Sequence, residues 1–386
     1  MLRFMTAGES HGPGLVTIVE GLPRGLVFKS DDLSAELARR RLGHGRGNRM
    51  AIEQDALEVI GGVRHGRTLG SPVAIVIRNS EAEKWARPMS IEPIDEPVSR
   101  ITRPRPGHAD VAGMIKYDTE DARDVLERAS ARETAARTVA GFLAKSLLRL
   151  AGIEIRSHVT SIGGVDSGVV PDTIDQFENV DADPVRCLDP AASQEMVDLI
   201  DEVQAAKDTL GGVFEVVAFD LPVGVGSYVH YDRRLDGLVA QALMSIPAIK
   251  AVQIGDGFEV AGRRGSAAHD EIYPGEGQLT RRTNRAGGLE GGTTNGEPLR
   301  VSGAMKPIST LMRPLNTVDM DTGGEASAVR ERSDVCAVPA AAVVGEQMVA
   351  WVLADEMTRK FGGDTTDDFS AAVLHYRDRV VRRLRR

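Results

Sequence analysis

Residues 127–150 read ERASARETAARTVAGFLAKSLLRL. Ala136, Ala140, Leu143, Leu147 and Leu150 recur there at alternating spacings of four and three, which puts them on one face of a helix. The spacing predicts a helix from about Arg128 to Leu150 with that face buried. Its first turn would carry Arg128, Ser130 and Arg132, where exposed backbone N–H groups favour an anion.

Upstream, PGLVTIVEGL (13–22), residues 56–63 and PVAIVIR (72–78) read as strands, being apolar and β-branched. Residues 30–43 read as a helix: Ser30 can cap it, Asp31 and Asp32 suit its first turn, and Gly43 can end it. Residues 79–124 read as loop, with many prolines. Downstream, 190–209, 233–245 and 340–360 read as helices, and VFEVVAF (213–219) and 248–255 as strands. Residues 262–298 form a long polar, glycine-rich stretch of the kind that is functional when found inside a compact chain. The basic end, about 364–386, reads as a peripheral, solvated helix end. VIGGVRHG (59–66) and SIGGVDSG (161–168) echo one another. No linker is visible. The residues by themselves reach a mixed α and β chain with functional loops, expected to form one domain over 1–386.

Of the 386 residues, 42% are hydrophobic, 4% aromatic and 41 are glycine. That composition supports a sizeable core and many tight turns. The net charge of −9 disfavours nucleic acid and anionic membranes as partners. An anionic ligand would need a local positive focus. With two cysteines, Cys187 and Cys336, neither a disulfide framework nor a CxxC metal pair is expected. No secretory signal is seen, and no apolar run approaches the length of a bilayer span, so the expected setting is cytoplasmic. The absence of HExxH, GxxxxGK[ST] and a carboxylate cluster at metal spacing predicts no bound metal.

Two loops carry histidines: Gly8-Glu9-Ser10-His11-Gly12 and Arg103-Pro104-Arg105-Pro106-Gly107-His108. A histidine on a backbone-fixed loop suits proton transfer near neutral pH. His11 reads as a proton donor with Ser10 as an orienting hydroxyl, or else as a turn histidine satisfied by backbone. The prolines before His108 hold Arg103 and Arg105 in a stiff loop; the alternative is a surface loop with solvated charges. Arg39, Arg40, Arg41, Arg46 and Arg49 form the densest basic patch, suited to bidentate capture of carboxylate or phosphate or simply a solvated face. Gly43-His44-Gly45-Arg46-Gly47 lacks the GxGxxG spacing. Gly291-Gly292-Thr293-Thr294 and Lys306-Pro307-Ile308-Ser309-Thr310 offer amides, hydroxyls and a cation suited to a phosphate-bearing cofactor, or turn punctuation. In Arg332-Ser333-Asp334, the carboxylate reads as a base or an orienting group, or as half of a surface ion pair.

Taken together, these segments resemble the chorismate synthase family. The resemblance rests on GESHG (8–12), RPRPGHAD (103–110), ERASARETAARTVAGF (127–142), NRAGGLEGG (284–292), AMKPIST (304–310) and RSDVCAVPAAAVVGE (332–346). It implies an α+β fold, a layered β-α-β sandwich, usually assembled as a homotetramer. It implies anti-1,4-elimination of phosphate from 5-enolpyruvylshikimate-3-phosphate to give chorismate, the last step of the shikimate pathway. Reduced FMN is required, with no net redox change. Carried over by motif, His11 would protonate the departing phosphate. His108 would protonate or stabilise the reduced flavin, and Asp334 with Ser10 and Ser130 would tune proton movement there. Substrate would be held by Arg40, Arg46, Arg49, Arg105, Arg132 and Arg332. Flavin would be held by Arg128, Ala129, Ser130, Pro247, Ala248, Gly291, Lys306, Pro307, Ile308, Ser309, Thr310 and Arg332. Arg40 and Arg46 are the positions associated with NADP. Pro247 stands where the family often has Asn or Gln, and Ala129 where many members have Ser. With no reductase domain or nicotinamide fingerprint visible, an external flavin reductase is the expected source of reduced FMN, with NADPH only an indirect reductant. Two competing readings remain: a flavin-free phosphotransferase or mutase acting on a phosphorylated carboxylic acid, and an anion- or RNA-binding module using the 39–49 patch.

Overall fold

The computed structural model describes residues 1–47, 55–275, 278–330 and 333–385. Arg49 and Arg332 lie outside the described residues. Four antiparallel strands form a first sheet: β1 (Arg3–Ala7), β2 (Gly14–Glu20), β3 (Ala56–Gly61) and β4 (Val73–Arg78), in the order β1-β2-β4-β3. A second sheet holds β5 (Glu154–Ile162), β6 (Val165–Asp166), β7 (Gly212–Phe219), β8 (Ile249–Ile254) and β9 (Leu299–Met305), in the order β8-β9-β7-β5-β6. The main helices are α1 (Ser30–Arg39), α2 (Asp110–Tyr117), α3 (Arg123–Ala129), α4 (Thr134–Arg149), α5 (Pro190–Ala205), α6 (Leu235–Met244), α7 (Val338–Phe361) and α8 (Thr366–Leu384).

The expected layering holds. Helix α4 packs on β1, β2 and β4 of the first sheet, α7 packs on β5, β7 and β9 of the second, and the two helices cross in the middle. They approach closely because Gly141 presents no side chain: a Cβ there would lie 2.3 Å from Gln347 Cβ. One apolar cluster runs through all three layers, from Leu15 and Ile75 through Leu143 and Val349 to Val216 and Val301. In the first sheet the alternation of a half-covered sheet is clear, with Val73, Ile75 and Ile77 of β4 buried; in the second, the central strand β7 is buried continuously from Phe214 to Phe219. Helix α7 is long and apolar enough to cross a bilayer by length and composition, against the expectation that no run approaches that length. Here it is the buried centre of the sandwich.

Several boundaries move. The helix expected from Arg128 to Leu150 is broken at Ser130, whose backbone is extended at φ −64°, ψ 141°. A short turn at Ala131–Glu133 follows before α4 begins. The anion-suited first turn expected at 128–132 is therefore a kinked junction, with the Ser130 hydroxyl accepting from the Arg132 N–H (3.3 Å). Helix α1 stops at Arg39 rather than Gly43, and its N-cap is Lys29 rather than Ser30. Helix α5 ends at Ala205, the chain turning at Lys207 (φ +62°). The stretch 79–124 holds a short turn of helix at Ala82–Trp85 and the helix α2, concealed by Pro88 after the first and by Pro104, Pro106 and Gly107 before the second. Within 262–298, two small hairpins form, Ile272–Pro274 with Leu279–Arg281 and Leu289–Glu290 with Thr293–Thr294. The echoed Gly-Gly pairs mark the end of β3 and the β5–β6 turn.

Beneath this helix layer lies a buried charge cluster. Arg39 on α1 binds Glu346 on α7 through both guanidinium ends (2.7 and 3.0 Å) and reaches Asp181 (2.7 Å). Lys145 on α4 contacts Glu36 (3.0 Å) and Glu346. The Ser157 hydroxyl donates to Glu346 (2.9 Å), and Arg186 donates to the Ser157 carbonyl (2.9 Å) and contacts Asp181. Three cations thus face three carboxylates. Burial alone would raise the Glu346 carboxyl, but Arg39 and Lys145 outweigh it and hold it well below the usual range.

Candidate active site

A cavity of about 640 Å³ is lined by loops of the sandwich. That volume suits a small molecule or cofactor. Its wall is built by loops at the ends of the elements above: the β1–β2 loop, the α3–α4 junction, the loop before α2, the α6–β8 connection, the segment after β9 and the approach to α7.

His11 comes from the β1–β2 loop. Its Nδ1 lies 2.9 and 3.0 Å from the two carboxylate oxygens of Glu127, and its backbone N–H donates to Glu127 Oε2 (2.9 Å). Its ring stacks on Trp85 at a centroid distance of 4.1 Å. Arg123, one helical turn before Glu127, contacts that carboxylate (3.2 Å) and lies over the other ring of the stack, Trp85 (5.0 Å). Burial by itself would raise the Glu127 carboxyl. The hydrogen bond and charge of His11, followed by Arg123, more than reverse that, and the carboxyl sits below its ordinary value.

His108 repeats the arrangement. Its Nδ1 is 2.5 Å from Asp110 Oδ1, and Asp110 Oδ2 accepts from the Arg105 Nε (2.9 Å) and backbone N–H (3.0 Å). Burial opposes ionisation of Asp110, but His108 and Arg105 hold it well below the usual carboxylate range. Arg105 also donates to the Thr310 hydroxyl (3.1 Å), tying this loop to the segment after β9. Lys306 reaches back to the Gly107 carbonyl.

The two serines meet: Ser130 Oγ is 3.2 Å from Ser10 Oγ. Arg132 pairs with Asp55 (2.6 Å) and contacts Asn79 Oδ1 (3.1 Å). The Asn79 amide in turn donates to the Gly12 carbonyl (2.6 Å), fastening the His11 loop to Arg132. Asp334 pairs with Arg46 (2.6 Å) and accepts from the Gly47 N–H (2.7 Å). Two backbone links, Val335 N–H to Gly45 O and Leu210 N–H to Val335 O (both 2.8 Å), hold that loop in place. Cys336, fully buried, follows it directly, and burial pushes its thiol up to about 11.

The cavity therefore gathers Ser10, His11, Arg40, Arg46, Arg105, His108, Ala129, Ser130, Arg132, Pro247, Ala248, Lys306, Ile308, Ser309, Thr310 and Asp334 from the sequence-predicted set. Three members lie elsewhere, as does Arg39 of the basic patch. Arg128 binds Thr6 Oγ1 (2.7 Å) and the Gly8 carbonyl (3.1 Å) and lines a second recess, which shares Ala129 and Pro247 with the first. Gly291 sits in the turn of the 289–294 hairpin against Tyr228, outside the cavity lining. Pro307 lies between two lining residues without lining the cavity itself. Arg39 turns inward to the buried charge cluster.

Sequence reasoning missed Glu127, Asp110, Asn79, Asp55, Trp85 and Lys250. Asp110 stood two residues after His108 in the quoted RPRPGHAD, which was an available signal; Glu127 opens the quoted ERAS motif but lies 116 positions from His11 in the chain. Asn79 and Asp55 carry no local pattern. Among the described residues, the lining holds the cations Arg40, Arg46, Arg105, Arg132, Lys250 and Lys306, and Asp334 as its carboxylate. The lining also includes the apolar side chains of Leu126, Met244, Ile246, Ile249, Met305 and Val344. Such a chamber can take a flat aromatic ring against its apolar side chains and several anionic groups against its cations.

Comparison with known proteins agrees with this chemistry. A family model described as chorismate synthase matches residues 2–358. The chorismate synthase of Frankia casuarinae is 60% identical over 381 residues, covering 95% of this chain and 96% of that one. That of Salinispora tropica is 56% identical over 391 residues, covering 99% and 100%. A solved structure titled "Crystal Structure of Chorismate Synthase" superposes with a TM-score of 0.79 at 40% identity, covering 99% of this chain and 98% of that one. With its fold, its basic chamber and its full-length similarity in agreement, the chain belongs to the chorismate synthase family.

Proposed function

We propose that the chain, working as one domain, converts 5-enolpyruvylshikimate-3-phosphate to chorismate in the cavity described, with reduced FMN bound beside the substrate. The activity of its family is this carbon–oxygen lysis. The observation that carries the assignment to the cavity is the pair of carboxylate-backed histidines, His11 and His108, facing a chamber lined by six cations and one carboxylate.

The residues present fit both molecules. The substrate carries two carboxylates and a phosphate, matching Arg40, Arg46, Arg105 and Arg132. The apolar wall beside Pro247, Ala248 and Ile249 suits an isoalloxazine ring, and Lys306 with Ser309 and Thr310 suits its phosphate. When bound, a reduced flavin supplies the electron-rich ring that assists loss of phosphate and accepts the hydrogen removed from carbon. The protein's own groups orient and move protons. His11 is placed to give a proton to the departing phosphate, converting a poor leaving group into a better one. His108 is placed to hold a proton beside the flavin. The Ser10–Ser130 contact and Asp334, anchored by Arg46, offer a path for protons between the two. The arginines neutralise the charge that phosphate carries away, which favours the transition state.

Cytoplasmic location, homotetrameric assembly, supply of reduced FMN by a separate reductase and an NADP association of Arg40 and Arg46 complete the proposal; they rest on the family resemblance. An anaerobic assay with chemically reduced FMN, following chorismate and phosphate together, tests it. Equimolar products that appear only with reduced flavin are expected. Phosphate release without flavin would favour a phosphotransferase or mutase, and binding without products an anion-binding module.

A further inference from the structure

His11 is fastened to Glu127 three times over. Its ring Nδ1 and its backbone N–H both meet the Glu127 carboxylate, and the N–H of Ser10 donates to the Glu127 backbone carbonyl (3.0 Å). Glu127 itself is 3% exposed and lies behind the cavity wall rather than on it. An ionised carboxylate only accepts hydrogen bonds. The hydrogen of a neutral His11 must then sit on Nδ1, which leaves the lone pair on Nε2. Trp85, stacked on the imidazole face, fixes the ring plane. Asp110 meets His108 Nδ1 in a similar way, with Arg105 contacting both that carboxylate and, at 3.1 Å, the same ring nitrogen; both sites set a buried, arginine-bound carboxylate against a histidine Nδ1.

We propose that Glu127 is a positioning residue that fixes His11 in the Nδ1–H tautomer, so that Nε2 is the atom that meets the substrate phosphate. The inference rests on the proton-donor role proposed for His11. Glu127 makes the delivery of the proton directional: the same nitrogen gives up the proton and, being a lone-pair acceptor afterwards, takes up the next one. Among the described residues, the charged groups tied to the ring or its loop include Glu127 and Arg123 from α3 and, through Asn79, Arg132 from the α3–α4 junction. Of these, Glu127 contacts a ring nitrogen.

The test uses the full chain with ¹⁵N-labelled histidine. Long-range ¹H–¹⁵N spectra distinguish the two tautomers, and the His11 signals are assigned by their loss in His11→Asn. The native protein should show His11 with its hydrogen on Nδ1. Glu127→Ala should give a mixture of tautomers, with kcat lower by about tenfold or more and KM within about threefold, the pattern of an interaction used in the transition state. Glu127→Gln, which keeps an acceptor oxygen and the side-chain volume, should retain the Nδ1–H tautomer and recover part of the rate. A native His11 carrying its hydrogen on Nε2, or a tautomer unmoved in Glu127→Ala, overturns the inference. If the tautomer responds to Glu127 but His11→Asn turns over normally, the donor role falls and the positioning stands. If His11→Asn is inactive and the tautomer ignores Glu127, the reverse holds.

Discussion

Glu346→Ala tests how the helix layer is held together. Glu346 is fully buried and receives Arg39 twice, Lys145 and the Ser157 hydroxyl. Removing it leaves Arg39, Lys145 and Arg186 facing only Glu36 and Asp181. An uncompensated buried charge of this kind costs about 3–5 kcal/mol. Unfolding entropy of ~2.1 cal/mol/K per residue gives this chain about 0.8 kcal/mol/K, so the loss corresponds to a Tm lower by about 4–6 °C. Scanning calorimetry at pH 7 measures it directly. Glu346→Gln keeps an acceptor for Ser157 and should fall between. The pH dependence provides a second check. Glu36 and Glu346 have folded pKa values held below their ordinary ones. The unfolded chain therefore takes up protons first on acidification, so their stabilisation is present above the unfolded value near ~4.3 and is lost as pH falls through the lower folded values. The native Tm should drop steeply below about pH 4, and Glu346→Ala should flatten that slope. A variant within about 1 °C of native, with an unchanged acid slope, would refute the reasoning.

Three further outcomes are expected. His11→Ala and His108→Ala should each lower turnover by about 10²-fold or more in the anaerobic assay, the scale of a lost acid or base; near-native turnover in both removes their assigned roles. Arg46→Ala should raise KM for the substrate and free Asp334 from its anchor; an unchanged KM places Arg46 outside the substrate's reach. Ala248 sits at φ +69° on the cavity wall, a region that disfavours β-branched side chains. Ala248→Gly should stay within about 0.5 kcal/mol of native while Ala248→Val loses about 1–2 kcal/mol in denaturant titration; equal effects would mean the backbone there is not constrained.

Much of the site was legible in the sequence because its residues lie in short, punctuated loops. Glycine and proline fix the backbone around His11 and His108, so function showed without any knowledge of the sheets. The strands were also readable, since β4 and β7 are apolar and β-branched. The break at Ser130 was not read, although Ser130 with Glu133 three residues on has the spacing of a helix start: the Ser130 hydroxyl accepts from the Arg132 N–H and also meets Ser10, 120 positions away in the chain. Helix α2 hid behind the prolines that precede it, Pro104 and Pro106. Glu127 and Asp55 escaped notice because a buried carboxylate is recognised only by what surrounds it. The arginines show the same limit. Arg39 and Arg40 are neighbours in sequence, yet one serves the core and the other the chamber, a division set by the helix ending between them.

Cys336 gives the molecule a reporter that needs no added probe. Its sulfur is sealed beneath the same strip of chain that carries Asp334, and its thiol, at about 11, stays protonated at neutral pH. A thiol reagent can reach it only when that strip lifts away from Gly45 and Leu210. The rate of alkylation at this position is therefore a stopwatch for breathing of the cavity wall. Any ligand that bridges Asp334 or Arg46 to the opposite side of the chamber should slow the stopwatch in proportion to how firmly it holds the wall shut.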